Sequence, residues 1–182
     1  MPEHDLAALW EAHCRCEFET RDADATMATM VASPYVNHIP TMAGGVGHDQ
    51  LKRFYKYHFI GANPPDTTMI PVSRTIGTDR LVDEMIVRFT HTTTIDWMLP
   101  GIPPTGRTVE VPLVAIVQFR DGKVAHEHIY WDQASVLVQI GKLDAQGLPV
   151  AGAAAAHKVL DPARPSNTLL GEAWAGSDGK PI

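Results

Sequence analysis

The 182 residues carry 15 Lys and Arg against 21 Asp and Glu, a net charge of −6, with a pI near 5.8. That balance argues against nucleic acid or an anionic membrane surface as a partner. At this length one hydrophobic core plus a tail is expected, and no apolar run is long enough to span a bilayer. The opening Met1-Pro2-Glu3-His4-Asp5 lacks the basic and apolar regions of a secretion signal, so the cytoplasm is the expected compartment. Cys14 and Cys16, the only cysteines, lie two apart on a predicted helix and point in different directions. They imply neither a disulfide framework nor a Cys-based zinc site.

In chain order, Leu6, Leu9, Trp10, His13 and Phe18 form the apolar stripe of a first helix. A second is predicted to start at Asp22 or Asp24, either of which can cap it, and to run through Met27, Met30 and Val31 to Ser33-Pro34. Pro34 is expected to break it. Tyr35–Ile39 then reads as a short extended segment before Pro40 and a turn at Gly44-Gly45-Val46-Gly47. The third helix is the clearest: Leu51, Phe54, Tyr55, His58 and Phe59 recur at helical spacing, with Lys52, Arg53 and Lys56 on the solvated side, and Gly61 ends it.

From Met69 the period changes to two. Met69–Gly77 and Arg80–Thr93 are predicted strands, as are Thr108–Arg120 and Lys123–Trp131, the latter two joined by the tight-hairpin pair Asp121-Gly122. Asp132 precedes a short amphipathic helix and fits its N-cap. Three helices followed by an antiparallel sheet make an α+β fold with helices over one face, and a strongly curved sheet would enclose a cone-shaped pocket. Residues 1–141 are assigned to that pocket domain. Residues 142–182, with a short helix near Ala153–Leu160, are assigned to a tail that wraps the domain or a partner subunit.

The strand Lys123–Trp131 crowds His, Glu, Tyr and Trp together. Such a strand is costly to bury unless it lines a cavity, so a small-molecule site is expected. Alternation puts Glu127, Ile129 and Trp131 on one face and His126, His128 and Tyr130 on the other. His126 and His128 can both reach one ion, the pattern of a strand-borne metal site, or lie on the outer face at an interface. On the long strand before it, His91 shares a face with Leu81, Asp83, Met85, Val87 and Phe89. No Ser-His-Asp or Cys-His order with a supporting motif is present.

Several segments in order resemble one family: Tyr35-Val36-Asn37-His38-Ile39-Pro40, Pro64-Pro65-Asp66, Thr90-His91-Thr92, Gly101 to Arg107, and Asp121-Gly122-Lys123 leading to Glu127 and Trp131-Asp132. The chain resembles the SnoaL-like polyketide-cyclase-type members of the nuclear-transport-factor-2-like superfamily over roughly Leu6 to Gly141. It is also similar to the limonene-epoxide-hydrolase branch through Tyr35-x-Asn37, Pro104-Thr105-Gly106-Arg107 and Tyr130-Trp131-Asp132. The resemblance implies a dimeric α+β cone with a largely apolar pocket that hosts acid–base chemistry, whose type the fold itself does not choose. The chain departs from the family where an essential Asp is replaced by Ile129 and a His on the preceding strand by Ala115.

The resemblance places the Ile129 face in the pocket. Glu127 beside Trp131 is then the expected acid or base, because a carboxyl in a dry apolar site has a raised pKa. His91 or Asp96 is expected to assist. Tyr35 and Asn37 are expected to hold substrate or water, with His38, Tyr55, His58, Trp97, Ile129 and Trp131 completing the substrate contacts. His126 and His128 then point away, so neither metal nor cofactor is expected. The expected activity is cofactor-independent acid–base catalysis of the cyclase, isomerase, dehydratase, or lactone or epoxide hydrolase type. The ligand is a small organic compound with an apolar body and a carbonyl or lactone. The alternative is a non-catalytic, ligand-binding homodimeric module. The homodimer follows from Ile70, Val72, Ile86, Val114 and Ile116, too apolar a set for a solvated sheet face.

Overall fold

The computed structural model describes residues 4–182; Met1-Pro2-Glu3, read above for a secretion signal, lie outside the described residues. Six strands form one curved, unclosed sheet in the order β2-β1-β6-β5-β4-β3. They are β1 Met30–His38, β2 Ala43–Val46, β3 Thr68–Ile76, β4 Arg80–Thr90, β5 Thr108–Arg120 and β6 Lys123–Trp131. Every pairing is antiparallel except β1 with β6, which run parallel. Three helices, α1 Leu6–Cys14, α2 Ala23–Ala28 and α3 His48–Phe54, precede β3. The α+β architecture is therefore as expected.

Local chemistry explains most of these elements. Asp5 and Asp22 cap α1 and α2 by accepting hydrogen bonds from backbone N–H groups at Ala8, and at Asp24 and Ala25. At the β5–β6 hairpin Asp121 and Gly122 both have positive φ, 52° and 72°, the geometry a two-residue turn needs to match strand twist. Buried and half-buried residues alternate along β5 from Val109 to Phe119, so one face packs inward.

Several predicted boundaries differ, and the strand predicted to reach Thr93 ends at Thr90. The second helix stops at Ala28, and Met30 already belongs to β1, opposite Val124 of β6. Pro34 does not break the chain: it sits where the β1–β6 register shifts between Met30 and Tyr35, a bulge-like site where a strand tolerates a missing N–H. The glycine-rich segment is not a free turn but edge strand β2. Gly44 lies so close to β1 that a Cβ there would stand 2.0 Å from the Val36 carbonyl oxygen, which only glycine permits.

Both long N-terminal helices end in a π-helical turn, Arg15–Glu19 after α1 and Tyr55–Phe59 after α3. The Thr20 and Ile60 amides donate to carbonyls five residues back. Such turns shift the side chains that follow them around the helix, and they recur at functional sites. Here they carry Glu17 and Tyr55.

After the sheet, α4 Gln133–Gln139 begins at Asp132, whose carboxylate accepts from the Ser135 amide. Helix α5 Ala154–Leu160 folds back on β5, where His157 and Arg88 both bond the Glu110 carboxylate at 3.1 and 3.0 Å. So part of the expected tail packs against the sheet, while residues 161–182 lie exposed. Among the described residues no helix is long and apolar enough to cross a membrane.

Candidate active site

The concave face and the helices over it enclose a cavity of about 70 Å³. Its walls are mostly apolar, with Val36, Phe59, Met85, Leu113, Ala115 and Ile129 among them. Polar side chains interrupt that wall: Glu17 and Glu127 with Tyr55 beside them, Asn63 and Thr67, and His38. A smaller chamber of about 50 Å³ adjoins it and shares Glu17, Phe18, Asn63, Thr67 and Met69, with Arg21 at its rim. Thr67 places there a buried hydroxyl without a hydrogen-bond partner.

Behind the carboxyl pair lies His13, completely buried. Its Nε2 stands 3.1 Å from Glu17 Oε1 and 3.2 Å from Glu127 Oε1. Its Nδ1 is 2.6 Å from the Thr29 hydroxyl, which donates its own proton to the Thr26 carbonyl. Thr29 can therefore only accept from Nδ1–H, so the proton at Nε2 is the one left for the carboxyls. Tyr55 closes the group, with its hydroxyl 3.4 Å from Glu127 Oε1 and 3.5 Å from His13 Nε2.

The electrostatics follow from burial and charge. Burial alone would lower the pKa of His13, but Glu17 and Glu127 more than reverse it and raise it to about 10. Burial raises the pKa of Glu17, against the pull of His13. Tyr55 is pushed well above the usual phenol value by burial and then by the two carboxyls, so it stays a donor. Burial likewise pushes the Cys14 thiol up, which makes this cavity cysteine a poor nucleophile. The wall thus presents two carboxyls around an imidazole whose charged form they favour, and burial favours the protonated form of Glu17.

Among the described residues, His13, Glu17 and Glu127 are also the group whose potential metal-ligand atoms converge, all within 4.8 Å. His126 and His128 do not contribute: they lie on the opposite face of β6, ring to ring at 5.1 Å.

The structure separates the expected site residues. Glu127, Ile129, His38, Tyr55 and Trp97 line the cavity. Trp131 stands behind Trp97, edge to face at 5.5 Å, and donates Nε1–H to Gln133. Tyr35 and Asn37 do not line it: alternation on β1 turns Val36 and His38 inward, leaving Tyr35 on the outer face against His126 and His128. His91 is buried outside the cavity. Its backbone bonds Thr105, Gly106 and Arg107, and its Nδ1 meets the Thr105 hydroxyl at 3.1 Å, so it staples the loop that follows β4. Asp96 and His58 pair with each other at 3.0 Å, both about half-exposed, away from the cavity. Their neighbours Phe59 and Trp97 are buried, so the pair occupies the outward side of both segments.

His13 and Glu17 were not anticipated as site residues. The available signal was a His and a Glu four apart on a stripe that otherwise carries Leu6 and Trp10, a polar pair on a face destined for burial.

Residues 10–127 match the model of the SnoaL-like domain. The chain belongs to the SnoaL-like family. Solved structures agree on the fold. IdmH of Streptomyces antibioticus, named as a polyketide cyclase, is 22% identical with a TM-score of 0.56, over 76% of this chain and 99% of that one. A protein named as a SnoaL-like polyketide cyclase from Jannaschia sp. CCS1 is 21% identical with a TM-score of 0.57, over 79% and 97%. A Catenulispora acidiphila protein with a ketosteroid-isomerase-like fold is 16% identical with a TM-score of 0.56, over 76% and 95%. No curated protein matches the chain.

Proposed function

We propose that this SnoaL-like protein is a cofactor-independent acid–base enzyme acting on a small, mostly apolar carbonyl or lactone compound. The observation that carries this reading is the pair Glu17 and Glu127 on an apolar cavity wall, both bonded through Oε1 to the buried His13. With Oε1 of each committed to the imidazole, the second oxygen is the atom available to a ligand. Glu17, holding its proton, donates to the substrate oxygen. Glu127 takes a proton from the adjacent carbon, and His13 and Tyr55 stabilise the charge that moves. His13 itself is a positioning residue. Proton removal next to a carbonyl opens ring closure, isomerisation and dehydration alike.

Deuterium uptake from D₂O at the carbon next to the carbonyl tests this without knowledge of the natural substrate. Single-ring ketones and lactones should exchange faster with the protein than in buffer, and Glu127→Gln should remove about 10²–10⁴-fold of that acceleration. Ile129 and Ala115 at the family's catalytic positions favour the rival reading, a ligand-binding module without turnover. Tight binding of such compounds with exchange at the buffer rate would establish that rival.

A further inference from the structure

His38 is a polar side chain of the cavity that the acid–base pair does not use. It is 3% exposed, and its ring is packed by Phe54, Phe59, Trp97 and Trp131 at centroid distances of 5.5, 5.5, 4.9 and 6.0 Å. Nδ1 lies 3.1 Å from the Ala43 carbonyl, which can only accept, so Nδ1 carries the proton. Nε2 then holds a lone pair. Among the described residues it makes no hydrogen bond, yet it is not one of the sealed buried atoms that lack a partner. The lone pair is therefore open to the cavity that the ring lines.

A neutral imidazole in an aromatic cage is an acceptor looking for a donor. Burial lowers its pKa to about 4, so the ring stays uncharged near neutral pH and does not compete with His13 for a carboxylate. An acceptor left unmet in so apolar a site is unfavourable, and a ligand donor relieves it.

Register fixes where that donor must be. Val36 lies opposite Glu127 in the β1–β6 ladder, and His38 opposite Ile129. His38 thus sits one two-residue step, roughly 7 Å of strand rise, beyond the position opposite Glu127. Leu113, Ala115 and Ile129 provide apolar wall around the same cavity. The cavity of about 70 Å³, with the adjoining chamber of about 50 Å³, restricts a ligand to no more than single-ring size.

We propose that His38 Nε2 is a specificity-determining acceptor for a hydroxyl group, so that the substrate is a single-ring-sized hydroxy-carbonyl or hydroxy-lactone compound. Its reacting end rests on the acid–base reading of Glu17 and Glu127. The hydroxyl requirement rests on His38 alone.

Phenol and toluene are near-isosteric probes that differ in the donor, and neither reacts. Titrations followed by tryptophan emission, to which Trp97 and Trp131 report, should show phenol binding roughly three- to tenfold tighter than toluene, the value of one net hydrogen bond. His38→Phe should bring phenol to the toluene affinity and leave toluene unchanged. If that variant does not fold, ¹⁵N spectra of the wild-type His38 ring decide: phenol, and not toluene, should shift Nε2 while Nδ1 keeps its proton. Glu127→Gln should retain the phenol preference while losing exchange, which separates the two readings. Equal affinities in the wild type, or a ring with its proton on Nε2, would overturn the proposal even where exchange is observed.

Discussion

Replacing both cavity carboxyls should destabilise the protein far more than the two single replacements predict. Glu17 and Glu127 bond the same nitrogen of His13 at 3.1 and 3.2 Å, so either can act as its charge partner when the other is lost. Burial raises the pKa of Glu17, and in the proposed chemistry Glu17 is the acid that holds the proton, so exchanging it for an amide changes little in shape or charge. Glu17→Gln should therefore cost less than about 1 kcal/mol. Glu127→Gln leaves Glu17 as the remaining carboxyl partner of the imidazole, so about 1–2 kcal/mol is expected. In the double variant nothing opposes burial, His13 gives up its proton, both carboxyl contacts are lost, and the loss should reach about 3–5 kcal/mol. The coupling energy is thus on the order of 1–3 kcal/mol, with the double variant worse than the sum. Urea unfolding at neutral pH of the four proteins measures it. Additivity within about 0.5 kcal/mol would refute the shared imidazolium.

The same charges shape stability against pH. The folded pKa of His13, about 10, lies above its ordinary 6.5, so its stabilisation is complete below pH 6.5 and is lost as pH rises toward 10. His38 is depressed to about 4, so it lowers stability as pH falls from 6.5 to 4. Each slope approaches about 1.4 kcal/mol per pH unit for one proton. His13→Gln should flatten the alkaline limb and His38→Phe the acid limb; an unaltered alkaline limb in His13→Gln would contradict the assignment. A proton on His13 Nε2 opposes metal ligation there, so protein purified without added metal should lack stoichiometric zinc, iron or manganese. About one ion per chain by elemental analysis would replace the ion pair with a metal site. We further propose a homodimer through the outer sheet face, where Val72 is exposed and Val114 and Ile116 are only half-buried. Light scattering should give twice the 19.9 kDa chain mass and Ile116→Lys should halve it; a monomeric wild type would count against that face.

What could be read in the sequence was whatever periodicity and turn chemistry encode. The strands β5 and β6 begin and end where alternation and Asp121-Gly122 put them, and parity alone separates Glu127 from His126 and His128. The same parity rule on β1 excludes Tyr35 and Asn37 from the cavity, because Val36 and His38 are the buried pair. Family resemblance had suggested the opposite. Asp96 and His91 were misplaced for another reason: they sit in or beside the irregular segment between β4 and β5, where no period constrains direction. The N-terminal half of the site was hidden more deeply. A uniform 3.6-residue period cannot foresee the π-helical turns at Arg15–Glu19 and Tyr55–Phe59, and those turns accompany the convergence of Glu17 and Tyr55 on Glu127. His13 was legible as a buried stripe residue, but its partner 114 positions along the chain was not.

The chemistry depends on the carboxyl pair holding one proton at neutral pH, and infrared spectroscopy in D₂O reads that proton without any substrate. The account predicts a protonated-carboxyl C=O band in the wild type at neutral pH, absent from Glu17→Gln and retained in His38→Phe. A wild-type spectrum with every carboxyl ionised would contradict it, as would a band that survives Glu17→Gln.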